Sequence, residues 1–139
     1  MHITVISDHL LYALQNVFRM VPNRSPIPIL KGIHFETCND LVYITATDLE
    51  HGIRTRVPAK IEIPGQAVLP AREITELIRR LPNMTVSLFT NFENNTTIVN
   101  YAQSEVNLHG FPPDEYPLLP NIPNNNLIMI PQKHLRKVL

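Results

Sequence analysis

A chain of 139 residues with 44% apolar content is long enough for one domain with a real core and short for two. Twelve basic residues balance twelve acidic ones, which excludes a strongly basic, tightly gripping nucleic-acid binder and leaves any such contact to local charge placement. The one cysteine, Cys38, has neither a disulfide partner nor a companion at metal-ligand spacing, so the composition points to the cytoplasm and away from a structural zinc site.

Met1 to Ile6 lacks the basic run and apolar core of an export signal, and no apolar stretch is long enough to span a bilayer, so neither export nor a membrane is expected. A first helix is predicted over 8–21, where Leu10, Leu11, Leu14, Val17, Phe18 and Val21 recur at amphipathic spacing. Ser7 is its expected N-cap, and Pro22 and Asn23 stop it. Three β-like runs follow at 32–37, 41–47 and 53–63; Asn39-Asp40 joins the first two and Pro58 interrupts the third. The same order then recurs: a strand at 67–69, a helix at 71–81, and runs at 84–89, 96–101 and 105–109 with turns at Asn94-Asn95 and Ala102-Gln103.

The recurrence has a sequence signature. Val5-Ile6-Ser7-Asp8, Val68-Leu69-Pro70-Ala71 and Met129-Ile130-Pro131-Gln132 each read as a strand end followed by a helix start, at near-equal intervals of roughly 60 residues. Four residues after the Ser or Pro stand Leu11, Ile74 and Leu135, and seven residues after it Leu14, Leu77 and Val138, offsets that share one helical face. The expected architecture is α+β, two βαβββ units with two helices packed on antiparallel sheet, related by an approximate twofold that superposes Ser7 on Pro70. Residues 111–126, rich in Pro and Asn, read as a surface connection. The domain is therefore expected at 1–125, with 126–139 the opening of a second one: a strand at 127–131, then a helix from Gln132.

Chemistry is sparse. With four glycines, no Gly-rich phosphate loop and no defensible Ser-His-Asp order, neither an enzyme nor a cofactor is expected. His2, His9, His34, His51, His109 and His134 lack zinc-site spacing and read as surface or turn residues. Asp48 and Glu50 could suggest acid–base or metal chemistry, but in a turn between strands an Asp carboxylate more simply organises backbone amides.

Five segments, in this order, carry a resemblance: Asp8-His9-Leu10-Leu11; Arg24-Ser25-Pro26-Ile27-Pro28-Ile29-Leu30; Thr45-Ala46-Thr47-Asp48-Leu49-Glu50; Leu69-Pro70-Ala71-Arg72-Glu73; and Phe111-Pro112-Pro113-Asp114-Glu115-Tyr116-Pro117. Together they resemble the bacterial DNA polymerase III β subunits, the DNA sliding clamps. The resemblance implies the DNA-clamp fold and a processivity ring: full-length chains of three such domains close around duplex DNA, helices lining the hole, and tether the replicative polymerase without sequence preference. Such a ring holds DNA by topology, so net neutrality is no objection.

By that resemblance Arg24, Arg72, Arg79 and Arg80 are the candidate DNA-phosphate contacts. Arg24 can equally be an ordinary solvated arginine. Arg72 sits in a first helical turn, where a cation gains nothing from the helix dipole, whereas Arg79 and Arg80 lie near a helix C-terminus that favours positive charge by itself. Lys133, Arg136 and Lys137 give the third helix a basic face that is either lining or simply solvated. The family's subunit contact maps onto Glu73, Leu77, Gln103, Glu105 and Leu108, with Leu77 equally readable as core. The implied partners are duplex DNA and other clamp chains in a ring, with polymerase and clamp loader engaged through the later domains. The alternative is a stand-alone clamp-like interaction module that forms no ring.

Overall fold

A computed structural model describes residues 1–139. The strands are β1 (His2–Ile6), β2 (Gly32–Cys38), β3 (Leu41–Thr47), β4 (Gly52–Pro58), β5 (Lys60–Ile63), β6 (Gln66–Pro70), β7 (Thr85–Asn91), β8 (Thr96–Tyr101) and β9 (Ser104–His109). The helices are α1 (Ser7–Phe18), α2 (Ala71–Arg79) and α3 (Gln132–Val138). The architecture is α+β, with α1 and α2 side by side as expected.

The strands form two antiparallel sheets rather than one, ordered β5-β1-β7-β8-β9 and β4-β3-β2-β6. Each half donates its opening strand to the other half's sheet: β1 pairs with β7 from Ile6↔Thr85 to His2↔Phe89, and β6 pairs with β2 from Pro70↔Gly32 to Gln66↔Glu36. Alternation puts Ile3, Val5, Leu88 and Val99 on the inner face of one sheet and Ile33, Phe35, Ile44 and Leu69 on that of the other, all at most 3% exposed. Leu10, Leu14 and Val17 of α1 and Ile74 and Ile78 of α2 close the same core.

The run predicted at 53–63 is two strands. β4 pairs with β3 in one sheet, and after Ala59 the chain crosses to the other sheet, where β5 pairs with β1. Pro58 ends β4 because it has no N–H to continue a ladder, and the Ala59 amide donates to the Asp40 carbonyl instead. The second half shows the same crossover in miniature: past β9, the Phe111 amide donates to the Val68 carbonyl of β6 at 3.0 Å. Gly110 permits that approach, since a Cβ there would collide with the Val68 carbonyl.

The repeat is genuine, but its register is shifted by one at the first copy. The helices begin at Ser7 and Ala71, and the buried sets Ser7, Leu10, Leu14 and Ala71, Ile74, Ile78 match position for position. Ser7 therefore corresponds to Ala71, not Pro70. Ser7 is also not the N-cap: that position belongs to Ile6, and no side chain caps the helix. The buried Ser7 hydroxyl instead donates to the Pro82 carbonyl (2.7 Å) and accepts from the Met84 amide (2.9 Å), tying the start of α1 to the entry of β7.

Both helices stop short of their predicted ends at Val21 and Leu81, because the last turns tighten: Val21 donates to Phe18 and Leu81 to Ile78. The turns fall as expected, each with one residue in the left-handed region: Asn39 (φ 53°), Asn95 (φ 57°) and Ala102 (φ 50°). The β3–β4 turn adds Leu49 at φ 78°. Asp48 organises this turn as expected, its carboxylate accepting from the Glu50 (2.9 Å) and His51 (2.6 Å) amides. The His51 amide is the main reason that carboxyl lies below the usual range.

The stretch 111–126 is not uniformly a surface connection. Phe111 bridges to β6, Pro113–Glu115 form a 3₁₀ turn, and Tyr116 is buried against the outer face of the β4-β3-β2-β6 sheet. Its ring stacks on His34 at 5.3 Å, and its hydroxyl donates to the carbonyls of Gly32 (3.3 Å) and Thr45 (3.4 Å). His34, expected at the surface, is thus 5% exposed, with Nε2 hydrogen-bonded to Gln66. From residue 120 onward every side chain is exposed, α3 included.

Two outcomes follow from the buried polar groups. Thr90 and Thr97 satisfy each other in the core at 2.7 Å, whereas the buried Thr75 hydroxyl on α2 has no partner. Thr75→Val should therefore leave stability unchanged or raise it by up to about 1 kcal/mol, read from urea midpoints. Burial raises the Tyr116 pKa from 10.0 to about 12, so its contribution to folding is intact below pH 10 and fades as pH rises toward 12. Tyr116→Phe should cost about 1 kcal/mol at pH 8 and flatten the fall in urea midpoint between pH 10 and 12.

Candidate nucleic-acid interface

The side of the domain not given to sheets is built by α1 and α2. Burying Leu10, Ala13, Leu14 and Val17 leaves Asp8, His9, Tyr12, Gln15, Phe18 and Arg19 outward on and just after α1. Burying Ala71, Ile74, Thr75 and Ile78 leaves Arg72, Glu73, Glu76, Arg79 and Arg80 outward on and just after α2. The helical face thus carries both signs of charge.

Arg79 and Arg80 stand together at the C-terminal end of α2, exposed and without an ion-pair partner. Arg72 lies at the other end of the helix, about 10 Å away along the axis. Its guanidinium Nε is 3.3 Å from a Glu76 carboxylate oxygen one turn on, an exposed pair that gives this arginine an ordinary local role. Arg24 is exposed and unpaired on the loop after α1. That loop comes beside the N-terminal end of α2, where a cleft of about 360 Å³ is lined by Phe18, Asn23, Lys31, Arg72, Glu73 and Phe111. The four arginines therefore fall into two groups, Arg24 with Arg72 and Arg79 with Arg80, and Lys31 joins the first.

Reading the sequence alone missed Arg19, Lys31 and Tyr12. Arg19 is exposed just past the last residue of α1, a place favourable for a cation. Extending the predicted helix to Val21 hid it. Tyr12 is 72% exposed in the middle of the outward face of α1, which the helical wheel could have revealed.

The proposed subunit-contact residues separate as well. Glu73 is exposed and Leu77 half-buried on α2, while Gln103 and Glu105 are exposed at the β8–β9 turn and on β9. β9 is an outermost strand, as an assembly edge must be. Leu108 does not belong to that surface: it is 7% exposed, faces inward opposite Thr97, and is part of the core. Alternation along β9 dictates this, because Val106 and Leu108 share the inner face while Glu105 and Asn107 point out. α2 makes its main contacts with α1 and β6. No helix of the chain is long and apolar enough to cross a membrane.

The family profile described as DNA polymerase III beta subunit, N-terminal domain, matches residues 1–120. The chain belongs to this family. The beta sliding clamp of Bacillus subtilis (strain 168) is 34% identical over the whole chain, and that of Staphylococcus epidermidis is 31% identical. The crystal structure of the B. subtilis clamp superposes with a TM-score of 0.94 over 99% of this chain at 34% identity. The DNA polymerase III subunit beta of Pseudomonas aeruginosa gives 0.88 over 99% at 27%. The chain spans 39% of the length of the B. subtilis relative and 38% of that crystallised chain. The fold expected from the repeat is thus the sliding-clamp fold.

Because Leu108 is core, replacing it cannot probe an interface. Leu108→Ala should destabilise the isolated fold by about 2–4 kcal/mol, seen as a lower Tm, at protein concentrations where the chain is monomeric.

Proposed function

We propose that this chain is the first domain of a processivity clamp, a ring component that surrounds duplex DNA, holds it without sequence preference and tethers the replicative polymerase. The observation that carries the reading is the family match over residues 1–120 together with a near-neutral two-helix face bearing a few unpaired cations. Such a face tolerates phosphates without gripping them, as sliding demands. Arg24, Arg79, Arg80 and Arg19 are the phosphate contacts, with Arg72 contributing less because Glu76 already engages it.

On this reading residues 1–125 form the domain and 126–139 open the next, so the apolar side chains of 127–139 are covered by that domain. Lys133, Arg136 and Lys137 then extend the lining of the ring. Polymerase and clamp loader engage the assembled ring through later domains, the protein acts in the cytoplasm, and it performs no catalysis and needs no cofactor. The β9 edge, with Glu105 and Gln103, is where a neighbouring chain adds.

Fluorescence anisotropy with a labelled duplex tests the DNA reading. Binding should be weak, independent of sequence, and shallow in its salt dependence, with a slope corresponding to roughly two to four phosphates. Replacing Arg24, Arg79 and Arg80 together by Ala should weaken it at least threefold. Unchanged binding in that variant would remove these residues from the interface, and a strong preference for one sequence would overturn the clamp reading.

A further inference from the structure

The cleft between the end of α1 and the start of α2 gathers two aromatic rings, Phe18 and Phe111, two cations, Lys31 and Arg72, and one carboxylate, Glu73. Phe111 is held in place there. Its amide donates to the Val68 carbonyl at 3.0 Å, and its ring packs on the bare backbone of Gly32, where a Cβ would come within 3.2 Å of it. Phe18 comes from the last turn of α1 and stays 36% exposed, although Leu14 and Val17 beside it are buried. The cleft therefore opens to solvent with aromatic surface that a flat apolar face can cover.

The polar groups of the cleft narrow the choice of ligand. Lys31 is exposed and makes no ion pair. Glu76 engages Arg72 through Nε, which leaves the terminal guanidinium amino groups free to donate. Glu73 is exposed and can only accept. An acidic peptide would satisfy the cations but set like charge against Glu73, and a purely apolar ligand would leave all three charges unanswered. A nucleotide brings a phosphate for Lys31 and Arg72, a flat face for the rings and base N–H groups for Glu73. The volume, about 360 Å³, lies at the small end of the range of small-ligand sites.

We propose that this cleft takes an unpaired nucleotide of single-stranded DNA that continues from the duplex. This rests on the reading of the helical face as the DNA side and extends the ligand from plain duplex to the junction of duplex and single strand. A base inside a duplex is stacked on both sides and has its pairing edge occupied, so it offers neither the face nor the N–H groups that the cleft requires. The first base beyond the paired region offers both. Its strand runs on past Arg24, exposed and unpaired on the loop beside the cleft, which meets the neighbouring phosphate. Aromatic platforms set along a cationic track are the general means of holding single strands, and they discriminate little between sequences because every base has a π-face.

The chain contains no tryptophan, so Phe18→Trp places a lone reporter in the cleft. Single-stranded oligothymidine should quench its fluorescence by stacking, whereas a blunt hairpin duplex should not, and thymidine monophosphate at equal nucleotide concentration should do so far less. In anisotropy, a duplex with an oligothymidine overhang should bind the wild-type chain more tightly than the blunt duplex. Phe18→Ala should weaken overhang binding at least about fivefold and leave blunt-duplex binding unchanged, with circular dichroism confirming its fold. If oligothymidine leaves the tryptophan unquenched, if the blunt duplex quenches it equally, or if Phe18→Ala binds the overhang as the wild type does, the inference fails. The clamp reading then still stands on blunt-duplex binding and its loss in the triple arginine variant. Equal quenching by the monophosphate would overturn the assignment to a strand. Quenching by oligothymidine without any duplex binding would keep the cleft as a single-strand site and sink the clamp reading instead.

Discussion

Everything in the domain depends on the exchange of opening strands between its halves. β1 completes the sheet of the second half by pairing with β7, and β6 completes that of the first by pairing with β2. Ile3 and Val5 therefore bury themselves beside Leu88, and Ala67 and Leu69 beside Phe35 and Ile33, so neither half has a closed core alone. Cooperative folding of the whole follows from this sharing rather than from the strength of any one helix. The Ser7 hydroxyl reinforces the exchange from the helix side, joining the start of α1 to the Pro82 and Met84 backbone that leads into β7.

Sharing strands also decides what is left outside. Once β1 and β6 are interior or protected strands, β4 and β9 are forced to be edges, and the two helices take the remaining side. The strap from Phe111 to Tyr116 then crosses the outer face of one sheet, so the chain leaves the domain beside β4 rather than beside β9. Leu119 packing on Gly52 marks the last contact before the exposed stretch. One edge is therefore near the continuing chain and the other is far from it.

The electrostatics fit a surface that guides more than it grips. On the helical side the arginines are interspersed with Glu73, Glu76 and Asp8, and the one close ion pair there is Arg72 with Glu76. Of the unpaired cations, Arg19, Arg79 and Arg80 lie at helix C-terminal ends, where the backbone dipole already favours them. A charge there costs the fold little and is available to a passing phosphate.

Period and punctuation in the sequence were enough to determine the element order, the repeat, the turns at Asn39, Asn95 and Ala102, and the role of Asp48, because each depends on residues within a few positions. The resemblance motifs were equally local, and they pointed to the family. What lay beyond reach depended on distant partners. Nothing near Pro58 tells which sheet the next strand joins, since that choice is made by the free side of β1. His34 and Tyr116 look like surface residues until the strap folds back over β2 and buries them together. Ser7 satisfies the local rule for an N-cap, yet the Met84 and Pro82 backbone, many residues away, claims its hydroxyl instead. Leu108 is apolar on an edge strand in either view. Its inward direction was set by the alternation that begins at Ser104, but its place in the core was decided only when the helices and both sheets enclosed that face, because burial belongs to the assembled fold and not to the strand.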